Sequence, residues 1–497
     1  LDQIDIRRVA SCAAVSVLLG LTAGLGLFLV GNNLPGVQGS LGATAEEAGW
    51  LTTAYFSTAM TAPVILTKVR FELGHRRFCA LALSLVLAAT AAHFLVRDWH
   101  TALLVRAALG FAQGSLIALA VLYMIDCMPG PLKVVGAVFG FATTQIGSPL
   151  ARVIDERLLD LGKWSSFLAV DTALACLSLA AIMVVPLTPL PVLKRISIGD
   201  VMAFALYASA AALFAVVITQ GRVRWWTDTD WLGILLALAI VLFGAYIVFD
   251  LMRKEPLVDL RWLAQPFMLQ FMAEILLFRL VLSEQNVGIV GLMTAVGINN
   301  DQMHSLFAFC AIAVYAGFAV AIVAALRKSD RWLGVLSLAL VVVAALMDSS
   351  ATNLTRPEQL YFSQVLLAFA IAIFFARSAL VGLGRTLSEP GFPHLVTYIA
   401  CFALTQNLGS LLGSAWIGTK IADFQTENFH RLAEQLHGAA PLVAARLDES
   451  GLAALAQAAT LESFVLAYDR LFQMIAAIAA AMLVWVSWNA VKHRELI

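Results

Sequence analysis

Six charged side chains lie inside long apolar runs of this chain: Arg106, Asp171, Glu274, Arg279, Glu284 and Arg377. A charge at mid-bilayer costs about 2.5–3.5 kcal/mol on insertion scales, so such residues pair with one another or face a polar path. A carboxyl group in a dry cavity can load and release a proton. A guanidinium in the same place attracts an anion or an acceptor-rich ligand. Glu274, Arg279 and Glu284 are spaced five and five, about 140° apart per step, with the two carboxylates about 15 Å apart along a helix axis. They cannot form one local cluster, and the i,i+5 spacing does not favour pairing within the helix. Each is expected to meet a group on another element.

Composition says what those elements are. The chain has 497 residues, 61% hydrophobic and 13% charged, against about 45–50% and roughly 25% in soluble proteins. This is a polytopic membrane protein, all-α, embedded in a lipid bilayer. The 32 basic and 32 acidic residues cancel, so no basic face for nucleic acid is offered. Cys12, Cys79, Cys127, Cys176, Cys310 and Cys401 sit in apolar stretches without paired spacing, which argues against a disulfide scaffold or a zinc ribbon. No metal site or cofactor is implied.

A spanning helix needs about 20 mostly apolar residues. Such runs fall near 9–31, 47–68, 76–96, 101–125, 132–154, 164–186, 199–219, 231–250, 266–290, 303–326, 332–349, 360–386, 393–418 and 465–489, fourteen in all. The first reads as an uncleaved signal anchor. With the amino terminus inside, Lys and Arg divide 18 to 11 in favour of the inner segments, as the positive-inside rule requires. An odd number of spans would scramble that bias, so both termini are expected in the cytoplasm. The one long connection, 419–464, has Ile421, Phe424, Asn428, Leu432 and Leu436 at helical spacing. It reads as an amphipathic helix on the outer face, a breaker at 438–441, and a second helix over 442–464. The alternative is a docking surface for a periplasmic adaptor.

Several stretches resemble the major facilitator superfamily, in particular its fourteen-helix drug:proton antiporters of the EmrB/QacA type. They are Leu34-Pro35-Gly36-Val37-Gln38 with Glu47-Ala48-Gly49-Trp50-Leu51-Thr52-Thr53-Ala54-Tyr55, Gly74-His75-Arg76-Arg77-Phe78, Arg106-Ala107-Ala108-Leu109-Gly110, and Glu255-Pro256-Leu257-Val258-Asp259-Leu260. The resemblance implies two six-helix bundles, 1–190 and 263–497, joined by two extra helices at 191–262. It further implies a multi-pass carrier of the cell membrane, bacterial inner membrane by type, moving a small molecule against protons. The departures are informative. The family's mid-helix Asp is Gly26 here, the loop signature has Thr67 and Phe71 where Gly and Asp are usual, and Leu109 replaces a Gln while Gln113 lies one turn later. The fifth span has Gly147-Ser148-Pro149-Leu150-Ala151-Arg152, a degraded form of the exporters' glycine-proline run.

In the fold so implied, spans 4, 9 and 12 line the pathway, and five of the six buried charges fall on them. Depth matching along the spans suggests two pairs, Arg106 with Glu284 and Arg377 with Glu274. Arg279 is then left near the midplane facing substrate, with Gln113 and Gln285 as further cavity residues. Two readings stand: fixed salt bridges between the halves, or proton loading on Glu274 or Glu284 that frees an arginine for the ligand. With Gly26 in place of the Asp, the proton carrier falls to the ninth span. Asp171 is expected to pair with Arg152 or Lys163. Arg70, Gly74, Arg76 and Arg77 form either a topology signal or an inner gate latch. Gly110/Gly114, Gly136/Gly140 and Gly409/Gly413 are spaced for close helix contact.

Among rival classes, His93 and Asp98 match an H-x4-D acyltransferase spacing, but no nucleophile elbow, zinc helix or P-loop accompanies them. A carrier rather than an enzyme is therefore expected. Drug or metabolite efflux is the first reading. An organic-anion or siderophore-like metabolite carrier, favoured by three cavity arginines, is the alternative, followed by a non-transporting sensor.

Overall fold

The computed structural model describes residues 6–130, 132–154, 165–189, 196–327, 329, 331–388, 392–436 and 441–492, and these are helices joined by short turns. In chain order they are α1 (Ile6–Asn32), α2 (Leu34–Leu41), α3 (Ala45–Ala59), α4 (Ala62–Leu73), α5 (His75–Ala92), α6 (Trp99–Gln113) and α7 (Leu116–Cys127). Next come α8 (Leu132–Gln145), α9 (Gly147–Val153), α10 (Ser165–Val184), α11 (Ile198–Val223), α12 (Asp230–Leu251), α13 (Leu260–Leu263) and α14 (Pro266–Ser283). The chain closes with α15 (Val290–Ala295), α16 (His304–Leu326), α17 (Leu333–Asp348), α18 (Tyr361–Ser388), α19 (Phe392–Gln435) and α20 (Pro441–Lys492). Ten helical segments among the described residues are long and apolar enough to cross a membrane, and Leu168–Val184 and Leu333–Asp348 are shorter apolar helices.

Local chemistry sets the breaks. The run near 47–68 is divided at Met60–Thr61, with Pro63 in the first turn of α4, where its missing N–H has no helical partner to lose. At the start of α3, Glu47 N–H donates to Thr44 Oγ1 and Thr44 N–H donates to the Glu47 carboxylate, a reciprocal cap. Asp98 with Thr101 starts α6 and Ser197 with Asp200 starts α11 in the same manner. Gly74 turns α4 into α5 at φ 75°, a conformation that suits glycine.

Packing brings α1 against α7, α8, α9 and α10, while α8 and α9 reach across to α16 and α18. Gly24 and Gly147 let α1 and α9 touch: a Cβ on Gly147 would stand 2.4 Å from Gly24 Cα. The spaced glycines also serve contact, since Gly110 meets Tyr55, Gly140 meets Val121, and Gly413 meets Leu280 and Ser283. Helix α11 lies between α3 and α19, with α12 outside it; Ile234, Ile240, Val241 and Val248 of α12 are exposed, as suits a face toward lipid.

Two expectations change. The first part of the connection 419–464 is no separate surface helix, because the 44-residue α19 carries the preceding span unbroken as far as Gln435. At 1.5 Å per residue that is about 66 Å, twice the roughly 30 Å of a hydrocarbon core. Helix α20 returns alongside, kinked at Gly451, with Gln425 Nε2 donating to Ser463 Oγ at 3.1 Å and Arg470 paired with Glu427 at 2.5 Å. Of the breaker at 438–441, residues 438–440 lie outside the described residues and Pro441 is the first residue of α20. Separately, Cys12 of α1 is disulfide-bonded to Cys127 at the end of α7. Spacing concealed this cross-link because its partners are 115 residues apart.

Candidate functional site

A cavity of about 210 Å³ opens where α1, α6, α9, α14 and α19 converge, lined by Arg106, Arg152 and Arg279 with Ser148, Gln285 and Asn286. A second chamber of about 80 Å³ shares Leu27, Phe28, Gln145 and Arg279 with it and is walled by Tyr55, Phe141, Ile399 and Phe402. Among the described residues no carboxylate lines either chamber. The site is therefore cationic at one end and aromatic at the other.

Each guanidinium is held by neutral partners. Arg106, 2% exposed, packs over the Tyr55 ring at 4.6 Å and donates from Nη1 to Gly26 O at 3.4 Å. Arg152 lies over Phe307 at 5.2 Å and donates to Asn300 Oδ1 and Asn286 O, both at 3.4 Å. Arg279 lies over Phe375 at 5.1 Å, with Nε donating to Gln406 O at 3.4 Å. Aromatic faces attract such cations, but none supplies a counter-charge. Asp171 acts electrostatically on Arg106 from α10, whereas among the described residues no carboxylate lines the chambers that Arg152 and Arg279 face.

The bare position 26 has a direct cause. Gln113 occupies the space a side chain there would need: a Cβ on Gly26 would stand 1.8 Å from Gln113 Nε2. The amide is fixed by Tyr55 Oη, which donates to Gln113 Oε1 at 2.7 Å, and donates from Nε2 to Thr22 O at 3.4 Å.

After α14 the helix widens into a π-turn over Glu284–Ile289; such turns re-aim side chains. Ser283, Gln285, Asn286 and Val287 line the cavity, but Glu284 does not. Glu284 is wholly buried, its carboxyl beside that of Asp348 at the end of α17. Asp348 accepts from Ser363 Oγ at 2.5 Å and Gln364 Nε2 at 2.7 Å. Gln285 Nε2 donates to Gln364 Oε1 at 3.3 Å, so polar groups run continuously from the cavity wall to two carboxyls.

The sequence expectations sort accordingly. Arg377 does pair with Glu274, at 2.5 Å, but neither lines the cavity; Arg377 packs where α18 meets Gly334 of α17. Arg106 and Glu284 do not pair, because the π-turn directs Glu284 toward Asp348 while Tyr55 and Gly26 hold the guanidinium. Arg279, Gln113 and Gln285 do line the chambers. Asp171 faces Arg106 rather than Arg152, which points into the cavity from α9; Lys163 lies outside the described residues. Arg70 is buried over Phe71 at 4.9 Å, Gly74 makes the turn, and Arg76 and Arg77 are exposed. The ionic tether at that end is Asp200, joined to Lys68 at 2.5 Å and to Arg253 at 2.6 Å.

Sequence reasoning missed Arg152 and Asp348 as site residues. Both stand at the ends of apolar runs, where a charge reads as a loop residue. The H-x4-D pair dissolves: His93 is buried with Nδ1 against Ala89 O at 2.9 Å, whereas Asp98 caps α6. The Thr101 N–H and hydroxyl hold the Asp98 carboxyl below its ordinary range. No group of three or more His, Cys, Asp or Glu among the described residues could hold a metal ion.

This architecture is that of a multi-pass membrane protein, and its all-α fold resembles that of major facilitator superfamily transporters. The human organic anion transporter MFSD10 (TETRAN) superposes with a TM-score of 0.58 over 96% of this chain and 100% of its own, at 15% identity. Tetrameric PepTSo2 gives 0.60 over 98% and 100%, at 12% identity. A bacterial homologue of the human drug peptide transporters PepT1 and PepT2 gives the same values. Among curated proteins, the multidrug transporter protein MdtP of Bacillus subtilis (strain 168) is 24% identical over 238 residues, 47% of this chain. The match spans only 42% of that relative. No protein-family model matches the chain.

Proposed function

We propose that this protein is a secondary transporter that carries a small organic anion with an aromatic or apolar body by alternating access. The observation that carries the reading is the central cavity: three guanidiniums, none in an ion pair among the described residues, and no described carboxylate on its wall. Leaving guanidinium charges buried without counter-charge is costly, and an anion bound between Arg152 and Arg279 offsets that cost. The aromatic second chamber takes the apolar body. MFSD10, of like fold, is an organic anion transporter, in keeping with this reading.

Fourteen spans in two six-helix halves, 1–190 and 263–497, with α11 and α12 between them, fit the Lys and Arg bias and put both termini in the cytoplasm of a bacterial cell. Proton linkage falls to the Glu284–Asp348 pair, two carboxyls without a neighbouring cation among the described residues, which can share a proton. Gln364 and Gln285 connect that pair to the cavity, so its charge state acts on the ligand site. Glu274, paired with Arg377, serves the structure. Drug:proton efflux is the second reading, favoured by the partial match to MdtP. A periplasmic adaptor would dock on the α19–α20 hairpin. Uptake into proteoliposomes under an imposed pH gradient tests the choice: an aromatic anion should accumulate and a lipophilic cation should not. The reverse selectivity would favour drug efflux.

A further inference from the structure

The end of the cavity that holds Arg152 is closed by a polar seam. Asn300 Nδ2 donates to Asn33 Oδ1 at 3.2 Å and to Arg152 O at 3.1 Å. Asn33 Nδ2 donates to Ala151 O at 3.1 Å. Ser148 Oγ donates to Asn286 Oδ1 at 3.1 Å, and Asn32 Nδ2 to Ser148 O at 3.1 Å. Asn32, Asn33, Ser148 and Arg152 come from the first part of the chain, Asn286 and Asn300 from the second. Among the described residues, Arg152 is the one charged side chain that belongs to both the seam and the cavity wall. Its Nη1 and Nη2 reach Asn300 and Asn286 at 3.4 Å each, while its Nε is buried without a hydrogen-bond partner.

We infer that Arg152 is a shared ligand: in the empty carrier it latches this gate, and a bound anion takes it from the latch and releases the gate. The competition has a clear sign. Both latch bonds are long and end on uncharged oxygens, whereas a carboxylate or sulfonate can take Nε–H and Nη2–H together. Charge-assisted, bidentate bonds of that kind are roughly twice as strong as neutral ones. Taking Nη2 also removes the bond to Asn286 O. Of the latch the seam then keeps only the long Nη1 bond to Asn300 Oδ1, beside Asn and Ser contacts between neutral groups, individually weak. Arg279, on the same wall, makes no seam contact and acts on the ligand alone.

The inference rests on the anion reading, and the test separates the two. Spin labels at Leu95 and Leu354, exposed residues on either side of this end, report the gate distance by pulsed electron resonance. Fluorescein serves as the aromatic anion, its binding measured in the same samples by anisotropy. In the ligand-free protein, Asn300→Ala should lengthen the distance, because the latch has lost its acceptor. Fluorescein should lengthen it in the unsubstituted protein and in Asn286→Ala. In Arg152→Gln the gate should already stand open without ligand, and fluorescein bound through Arg279 should move it no further. Binding without a distance change, or a ligand-free Asn300→Ala no more open than its parent, overturns the latch. Absence of fluorescein binding counts against the anion reading, and the ligand-free arm still decides the latch.

Discussion

Substitution of Gly26 by Asp puts a carboxylate where drug:proton antiporters have one, and the structure states what must follow. The new Cβ would stand 1.8 Å from Gln113 Nε2 and 2.4 Å from Cδ, against about 3.5–4 Å for an unstrained contact. Gln113 must therefore leave. Overpacking of this kind costs about 1–3 kcal/mol. Expelling the amide also strips the buried Tyr55 hydroxyl of its 2.7 Å partner, another 1–3 kcal/mol or so. Gly26→Asp should thus lose about 2–6 kcal/mol of stability before its charge is considered. Adding Gln113→Ala removes the overlap but not the Tyr55 loss, so the double variant should recover about 1–3 kcal/mol as a positive coupling. It also leaves the introduced carboxylate beside Arg106, whose Nη1 already reaches Gly26 O at 3.4 Å, so aromatic-anion binding should weaken. Thermal unfolding followed by tryptophan fluorescence gives the stabilities, and dye anisotropy gives the binding. Gly26→Asp as stable as its parent, or a double variant no better than the single, would refute the steric argument.

Three further outcomes follow from the same geometry. Glu274→Leu or Arg377→Leu alone should cost about 1–3 kcal/mol, and the two together less, because a single change strands a half-buried charge; equal losses in thermal unfolding would show that the pair is not the cause. Glu284→Gln or Asp348→Asn should abolish the pH dependence of uptake in proteoliposomes, whereas Glu274→Gln should keep it. Retained dependence in the first two would remove the carboxyl pair from proton linkage. Asp98, held below its ordinary range when folded, stabilises the α6 cap fully at pH values above the unfolded pKa, and that contribution is lost as pH falls through the lower folded value. Asn caps as well as Asp, so Asp98→Asn should make hydrogen exchange in the first turn of α6 insensitive to acidification; an unchanged acid response would assign it to another group.

Much of this fold was legible because a bilayer demands long apolar runs, and the boundaries of α1, α5, α11, α12 and α16 follow from composition alone. The break at Met60–Thr61 and the continuous α19 were not legible, since Pro63 can sit inside a span and a polar helix can simply extend an apolar one. Depth along a helix is readable from spacing, which is why Arg377 and Glu274 could be matched. Azimuth is not. A π-turn adds one residue to a turn and swings Glu284 from the cavity to Asp348, a change that no 100° wheel contains. Gln113 was legible as a residue one turn displaced from its usual place, but that it fills the space above Gly26 required the packing of α1 against α6. Arg152 was hidden because an arginine at a span end reads as topology.

The central claim is that Arg152 and Arg279, cavity arginines in no ion pair among the described residues, bind an organic anion, and equilibrium binding to the purified protein tests it most directly. Fluorescein, an aromatic anion, should bind the unsubstituted protein and ethidium, a cation, should not. Arg279→Gln should weaken fluorescein by about 1.5–3 kcal/mol, roughly tenfold to a hundredfold in Kd, and Arg152→Gln with Arg279→Gln should remove measurable binding. Ethidium binding to the unsubstituted protein, or fluorescein affinity unchanged in the double variant, would contradict the account.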